Sequence, residues 1–352
     1  MRGDNRGMFE ALVSLCLLSD PGICRDAVIP GTVAATVEDC LAALEAVPEP
    51  EWPEDVVAGA PNCAPAGPAA AFEEVAPGLF VHLGAISEAD PQNAGDVANI
   101  GFIVGEGAVA VIDSGGSRAV GEAVYRAVRA RTDLPIAYVI LTHMHPDHVL
   151  GTAALIEPGT VAVGHAALPR ALQDRQDSYL ASFGRLVGAE GFLGTQVAFP
   201  DRLVSDHQTL DLGGRSLELH AWPNAHTGSD LTVGDPASGI LFTGDLMFHS
   251  HAPALDGSVL GWRAVLTEMQ ALPYDHIVPG HGGPLLDWPA AATPLAAYLD
   301  LLIADTRAAI AAGEPLAQAT THIAAGQAEA WQLFELFNTR NATVAYTELE
   351  WE

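Results

Sequence analysis

Four side chains able to hold a metal ion stand close together in Thr142-His143-Met144-His145-Pro146-Asp147-His148. The apolar run Ile136 to Leu141 ahead of them reads as a buried strand, and a helix is expected to begin near His148. A loop leaving a sheet edge turns alternate side chains to one side. His143 and His145 can therefore share one metal while Asp147 and His148 face a second. Neutral imidazoles with a carboxylate suit Zn(II), and equally Fe or Mn, because no thiolate is present to favour a softer ion. The other reading, a surface cluster of histidines, does not explain why the spacing follows directly on a strand.

This string resembles the His-x-His-x-Asp-His signature of the metallo-β-lactamase superfamily. That family adds three ligands downstream, and the matching positions here are His226 in Asn224-Ala225-His226-Thr227-Gly228, Asp245 in Phe242-Thr243-Gly244-Asp245, and His281 in Val278-Pro279-Gly280-His281-Gly282. The resemblance runs from about Phe72 to Pro284. It implies an α/β fold, a four-layer αβ/βα sandwich with the metals at one edge of two facing sheets. It also implies two Zn(II) ions, with Fe or Mn compatible: His143, His145 and His226 on one, Asp147, His148 and His281 on the other, Asp245 bridging. Two cations with a shared hydroxide lower the pKa of bound water to about 7 and polarise the scissile carbonyl. Asp147 would then accept the nucleophile's proton while remaining a ligand. Asp113, in Val111-Ile112-Asp113-Ser114-Gly115, matches the family's strand-end aspartate and is read as orienting the metal loop; turn capping is the competing role. An aspartate at 245, where one group of zinc β-lactamases has cysteine, places the chain with glyoxalase-II-like hydrolases.

The stretch His249-Ser250-His251-Ala252-Pro253, then Asp256-Gly257-Ser258, Gly261-Trp262 and Leu272-Pro273-Tyr274-Asp275, is similar to the SoxH-related group, which includes zinc metallohydrolases of quinoprotein (PQQ-dependent) dehydrogenase systems. The tail Arg340-Asn341-Ala342-Thr343 and Glu350-Trp351-Glu352 is similar to it as well. The resemblance implies a dinuclear hydrolase of an ester, thioester, lactone or lactam-type small molecule. His251 and Asp256, as catalytic groups, and Ser258 are the candidates for a substrate-facing loop, against a loop closed by its own hydrogen bonds. His82, His165, His207, His220, His276 and His322 lack ligand-spaced partners and read as core or surface groups, and Trp222 and Trp262 as core filling. Two rivals remain. One is a mononuclear-iron enzyme oxidising persulfides; the other is a non-catalytic protein of cofactor maturation or binding.

The elements that must hold these residues are legible in part. Short apolar runs at Leu79 to Leu83, Asn99 to Val104, Ala108 to Ile112, Val161 to Gly164, Arg215 to Ala221, Asp230 to Val233, Ile240 to Thr243 and His276 to Val278 read as strands. Ser117 to Arg131, Ala166 to Leu186, Gly261 to Leu272 and most of 294–338 read as helical, the last broken at Gly313. Residues 72–352 are thus expected to form the catalytic domain, closed by C-terminal helices at 294–338. Residues 1–71 are expected to form an extension holding all four cysteines (Cys16, Cys24, Cys40, Cys63), with a Pro-, Ala- and Gly-rich linker from Pro48 to Ala71. Two disulfides would fit, in any of three pairings, and lean the location towards the periplasm. The extension could also dock a protein partner. Phe9 to Leu18, behind Arg2 and Arg6, has a leader-like profile without a small-x-small cleavage site, and it is too short to span a membrane.

Over the 352 residues, 44 acidic against 15 basic side chains give a net charge of −29, and every basic residue is arginine. Lysine-based Schiff-base or phosphate-loop chemistry is therefore excluded. Nucleic acid and anionic membranes are disfavoured as partners, because both are bound through basic patches. A small-molecule substrate is the remaining expectation.

Overall fold

The computed structural model describes residues 7–352; Arg2 and Arg6 lie outside the described residues. The chain opens with β1 (Phe9–Leu17), β2 (Cys24–Val28), α1 (Val37–Ala46), β3 (Val56–Ala58) and β4 (Asn62–Pro65). β1 is the centre of this small sheet, pairing antiparallel with the other three strands. The leader-like stretch is thus a strand whose Ala11, Val13 and Leu15 are buried, as its period-two pattern permits. The segment read as a linker carries β3 and β4. Its prolines fall at strand ends and edges, where a missing N–H costs nothing. Two disulfides, Cys16–Cys24 and Cys40–Cys63, staple the unit.

A seven-stranded sheet follows. β5 (Glu73–Ala76), β6 (Leu79–His82), β7 (Ile100–Val104) and β8 (Val109–Ile112) run as an antiparallel meander. β9 (Ile136–Leu141), β10 (Val161–His165) and β11 (Arg202–Val204) then continue parallel to β8. The crossovers hold α2 (Arg118–Arg129), α3 (Pro146–Val149), α4 (Leu168–Val187) and α5 (Ala189–Phe192). Strands covered on both faces read as unbroken apolar runs, as in Val-Ala-Val-Ile of β8 and Ile-Ala-Tyr-Val-Ile-Leu of β9.

The second sheet has six strands: β12 (His207–Asp211), β13 (Ser216–Ala221), β14 (Leu231–Asp235), β15 (Ile240–Phe248), β16 (His276–His281) and β17 (Leu286–Asp287). β15 and β16 are parallel across α6 (Val259–Met269). Their register shifts between Phe242 and Gly244, an irregularity that re-aims the next side chain, Asp245. The chain ends with α7 (Ala292–Ala311), α8 (Leu316–Ala319) and α9 (Phe334–Leu349), so the final helix extends beyond the expected limit at 338.

Three apolar layers separate four structural ones. Leu79, Ile103, Ile112 and Ile140 of the first sheet meet Leu217, Leu219, Val233 and Phe242 of the second. The outer face of the first sheet packs on Val124, Tyr125 and Val128 of α2, and that of the second on Trp262, Leu266, Tyr298 and Leu302 of α6 and α7. This is the αβ/βα sandwich. No helix among the described residues is long and apolar enough to cross a membrane.

Candidate metal centre

All seven expected ligands come together at one end of the two sheets. His143 and His145 follow β9, Pro146 starts the short α3 and turns Asp147 and His148 back, His226 lies after β13, Asp245 is within β15, and His281 ends β16. Two groups form: His143, His145, His226 and Asp245, and Asp147, His148 and His281.

In the first group His145 Nδ1 lies 3.1 Å from His143 Nε2 and 3.0 Å from His226 Nε2. Asp245 Oδ2 is 3.4 Å from His226 Nε2 and 3.7 Å from His143 Nε2. In the second, Asp147 Oδ2 lies 3.7 Å from His148 Nε2 and 3.4 Å from His281 Nε2. Asp245 Oδ1 faces the same two nitrogens at 3.2 and 3.4 Å. Donors about 2.0–2.1 Å from a tetrahedral cation are separated by roughly 3.3 Å, so both groups have the spacing of a coordination shell. Among the described residues, buried His148 Nε2 and Asp245 Oδ1 have no hydrogen-bond partner. Such buried polar atoms are costly unless something binds them, and a divalent cation between them fits.

The opposite nitrogen of each histidine is engaged, which fixes ring orientation and leaves the inward nitrogen as a lone pair. His148 Nδ1 donates to Asp113 Oδ2 at 2.8 Å. His226 Nδ1 donates to the Ala254 carbonyl at 2.5 Å, His281 Nδ1 to the Val97 carbonyl at 2.9 Å, and His145 Nε2 to Asp256 Oδ2 at 3.3 Å. His143 Nδ1 meets Thr142 Oγ1 at 3.0 Å, and that hydroxyl donates to Asp113 Oδ2 at 2.8 Å. Asp113 also accepts from the Thr142 N–H at 2.8 Å and holds a positive φ of 61° at the end of β8. A non-glycine residue in that region is strained, and here the strain aims one carboxylate at both His148 and Thr142.

Burial dominates the electrostatics. It holds His226 neutral, with its pKa lowered to about 3, and pushes His143 well below its ordinary value, with His148 adding to the shift. Burial also opposes ionisation of Asp245, yet His281, His148 and His143 outweigh it and keep the carboxyl far below the usual range. His148 is raised despite burial, by Asp245, Asp113 and Asp147. Burial thus holds His143 and His226 neutral, while Asp245 and Asp147 draw protons towards His148 and His281, protons that a bound cation would displace.

The substrate-loop candidates fall differently. Asp256 does not stand free: it binds His145 and accepts from Arg175 of α4 at 2.9 and 3.1 Å. His251 is buried beside His281, with ring centroids 4.7 Å apart, and its pKa falls to about 4 through burial and the neighbouring His281. Ser258 caps α6, accepting from Gly261 N–H at 2.8 Å, and donates to Glu348 of α9 at 2.5 Å. Trp222 and Trp262 are core residues, as expected. His207 and His220 correct the expectation that they lack partners: they face each other across β12 and β13 with rings 3.9 Å apart, beside exposed Asp206.

Several supports had no role assigned to them from the sequence. Asn99 donates to the Pro279 and Gly282 carbonyls at 2.8 and 2.7 Å and holds the turn bearing His281. Asn341 of α9 donates to the Pro253 carbonyl at 2.7 Å and accepts from Leu255 N–H at 2.9 Å, fastening the loop that orients His226. Gly280 leaves no room for a side chain, since a Cβ there would lie 1.9 Å from Asp245 Oδ1. Gly280→Ala is therefore expected to displace Asp245 and lower bound metal at least tenfold in affinity with the fold retained, as metal titration and circular dichroism would show.

The sequence profile described as metallo-beta-lactamase superfamily matches residues 94–281. Among solved structures, the stereoselective inverting sec-alkylsulfatase Pisa1 from Pseudomonas sp. superposes with a TM-score of 0.60 at 16% identity, covering 80% of this chain and 50% of that one. The chain thus spans about half the length of that enzyme. A metallo-beta-lactamase from Pontibacter korlensis gives 0.53 at 18% identity, over 65% of this chain and 98% of that chain. The DIM-1 metallo-beta-lactamase gives 0.52 at 17%, over 66% and 98%. These likenesses concern the fold; the profile match spans more than half of the sequence and coincides with the convergent His and Asp residues, and the chain belongs to the metallo-beta-lactamase superfamily.

Proposed function

We propose that the protein is a dinuclear zinc hydrolase acting on a small ester, thioester, lactone or lactam-type substrate. One observation carries the reading: the two oxygens of Asp245 are divided between two separate groups of histidine nitrogens, so that a single carboxylate would serve two cations. When bound, such a pair supplies Lewis acidity and water acidified to a pKa of about 7.

The chain's own residues complete the chemistry. Asp113, Asp256 and the Ala254 and Val97 carbonyls hold the imidazoles in register. Asp147, whose side chain is 16% exposed, is the carboxylate on the open side and takes up the proton that the nucleophile loses. Asp256 acts through His145, as a positioning residue. His251, neutral and packed on His281, shapes the pocket wall.

The SoxH-like segments support a place beside a quinoprotein dehydrogenase system. The two disulfides support an oxidising compartment such as the periplasm, with the N-terminal unit as a surface for a protein partner. The decisive experiment is metal quantification with a panel of aryl ester, thioester, lactone, β-lactam and secondary alkyl sulfate. Two zinc equivalents with hydrolysis of an acyl member are expected, and His145→Ala should lower kcat/KM by about a thousandfold. One iron equivalent with oxygen consumption, or activity untouched by His145→Ala, would overturn the reading.

A further inference from the structure

α4 passes over the metal centre and brings two residues that the ligand motif does not include, Arg175 and Tyr179. The Tyr179 hydroxyl is buried, and among the described residues its proton has no acceptor, the neighbouring Arg175 being able only to donate to its oxygen. It stands within electrostatic reach of Arg175, Asp256 and Asp147, and so belongs to the wall of the site. Arg175 cannot satisfy it, because a guanidinium has no acceptor for the phenolic proton. Asp256, whose oxygens accept from Arg175 and His145, makes no hydrogen bond to the phenol either. A buried O–H without an acceptor costs the free protein stability. Phenylalanine would fill the same space without that cost, so the hydroxyl is best explained by an acceptor that arrives with a ligand.

The geometry points to Tyr179 as a catalytic hydrogen-bond donor to the acyl oxygen of the substrate, beside the metal centre and held in place with Arg175 on α4. The inference rests on the hydrolytic reading above and narrows its substrate to compounds with a scissile acyl carbon. In that reaction the oxygen of water bonds to the carbonyl carbon, and the carbonyl π pair moves onto the oxygen facing Tyr179. Tyr179 donates a hydrogen bond there and keeps its proton. The pair then returns to re-form the carbonyl, the bond to the leaving group breaks, and the leaving group departs with the proton collected by Asp147. Burial holds the phenol protonated across the neutral range, so the donor is always present.

The test compares full-length wild type with Tyr179→Phe. Loss of a donor to a developing oxyanion lowers kcat by about a hundredfold with KM little changed. Bound metal should be unchanged, and calorimetric binding of acetate, as a product probe, about tenfold weaker. The melting temperature of the metal-free variant should rise by about 2 °C, because an unsatisfied group has been removed. A variant that melts higher but hydrolyses at the wild-type rate overturns the inference while leaving the hydrolase reading intact. Parallel loss of metal and activity also overturns it, since Tyr179 would then be structural. Failure of the wild type to hydrolyse any acyl member of the panel overturns both.

Discussion

If two cations bind as proposed, Asp245→Asn is expected to leave the protein with about one equivalent of bound metal in place of two. The substitution preserves shape but leaves a single oxygen, and an amide nitrogen is a donor only. At present Oδ2 faces His226 and His143 at 3.4 and 3.7 Å, while Oδ1 faces His148 and His281 at 3.2 and 3.4 Å. An asparagine can serve one of these groups. The other would be left with its remaining donors and an N–H₂ pointed at the cation. Losing one cation forfeits several kcal/mol of charge stabilisation, so kcat/KM should fall by about a thousandfold or more. Metal analysis after dialysis, together with rates on the responsive acyl substrate, checks both halves of the expectation. Retention of two equivalents at full activity would show that Asp245 does not bridge.

How far this arrangement could be read from the sequence follows from the range of the interactions. His143, His145, Asp147 and His148 were legible because their geometry is local, set by one strand end and the turn at Pro146. β8 and β9 were legible because strands buried on both faces need uninterrupted apolar runs. His226, Asp245 and His281 required the family resemblance, since nothing local ties them to residues more than 75 positions earlier. β1 was obscured because its apolar run resembles a leader, and its partners β3 and β4 hide in a Pro-rich stretch. β11, β12 and β17 are short edge strands with polar residues, which carry little periodic signal. The positions of Asp256, Arg175 and Tyr179 arise from the docking of α4 against the loop before α6, and such long-range contacts leave no spacing to read.

The large negative charge is also sharpened by the structure. Glu10, Glu122, Asp113, Asp230, Asp235 and Asp245 are buried, so some carboxylates serve the interior, several of them paired with arginine or histidine. Arginine suits these positions because its planar fork binds carboxylates at two points and stays charged when buried.

The strongest structural expectation concerns Glu122 of α2, where the N-terminal sheet joins the sandwich. Its Oε1 accepts from Arg118 Nε at 3.0 Å and from the Val28 N–H at 3.1 Å, and its Oε2 is paired with Arg25. Arg118 is only 2% exposed; it reaches the Val28 carbonyl at 2.8 Å and stacks over the Trp52 ring at 4.5 Å. One carboxylate therefore neutralises two cations and satisfies the backbone at the end of β2. Glu122→Ala would strand a buried guanidinium and a buried N–H together, a loss of about 3–5 kcal/mol. Glu122→Gln keeps an acceptor and the volume, and should cost less, about 1–3 kcal/mol. The Glu10–Arg126 pair, at 2.7–3.0 Å, remains as a second clamp on the same helix. Loosening should therefore begin near β2 and Trp52, with the two disulfides keeping the N-terminal unit covalently closed. Urea unfolding would measure the loss, and limited proteolysis would place it, with cleavage between residues 18 and 60 in the alanine variant. An unchanged urea midpoint would show that burial of Arg118 does not depend on its carboxylate.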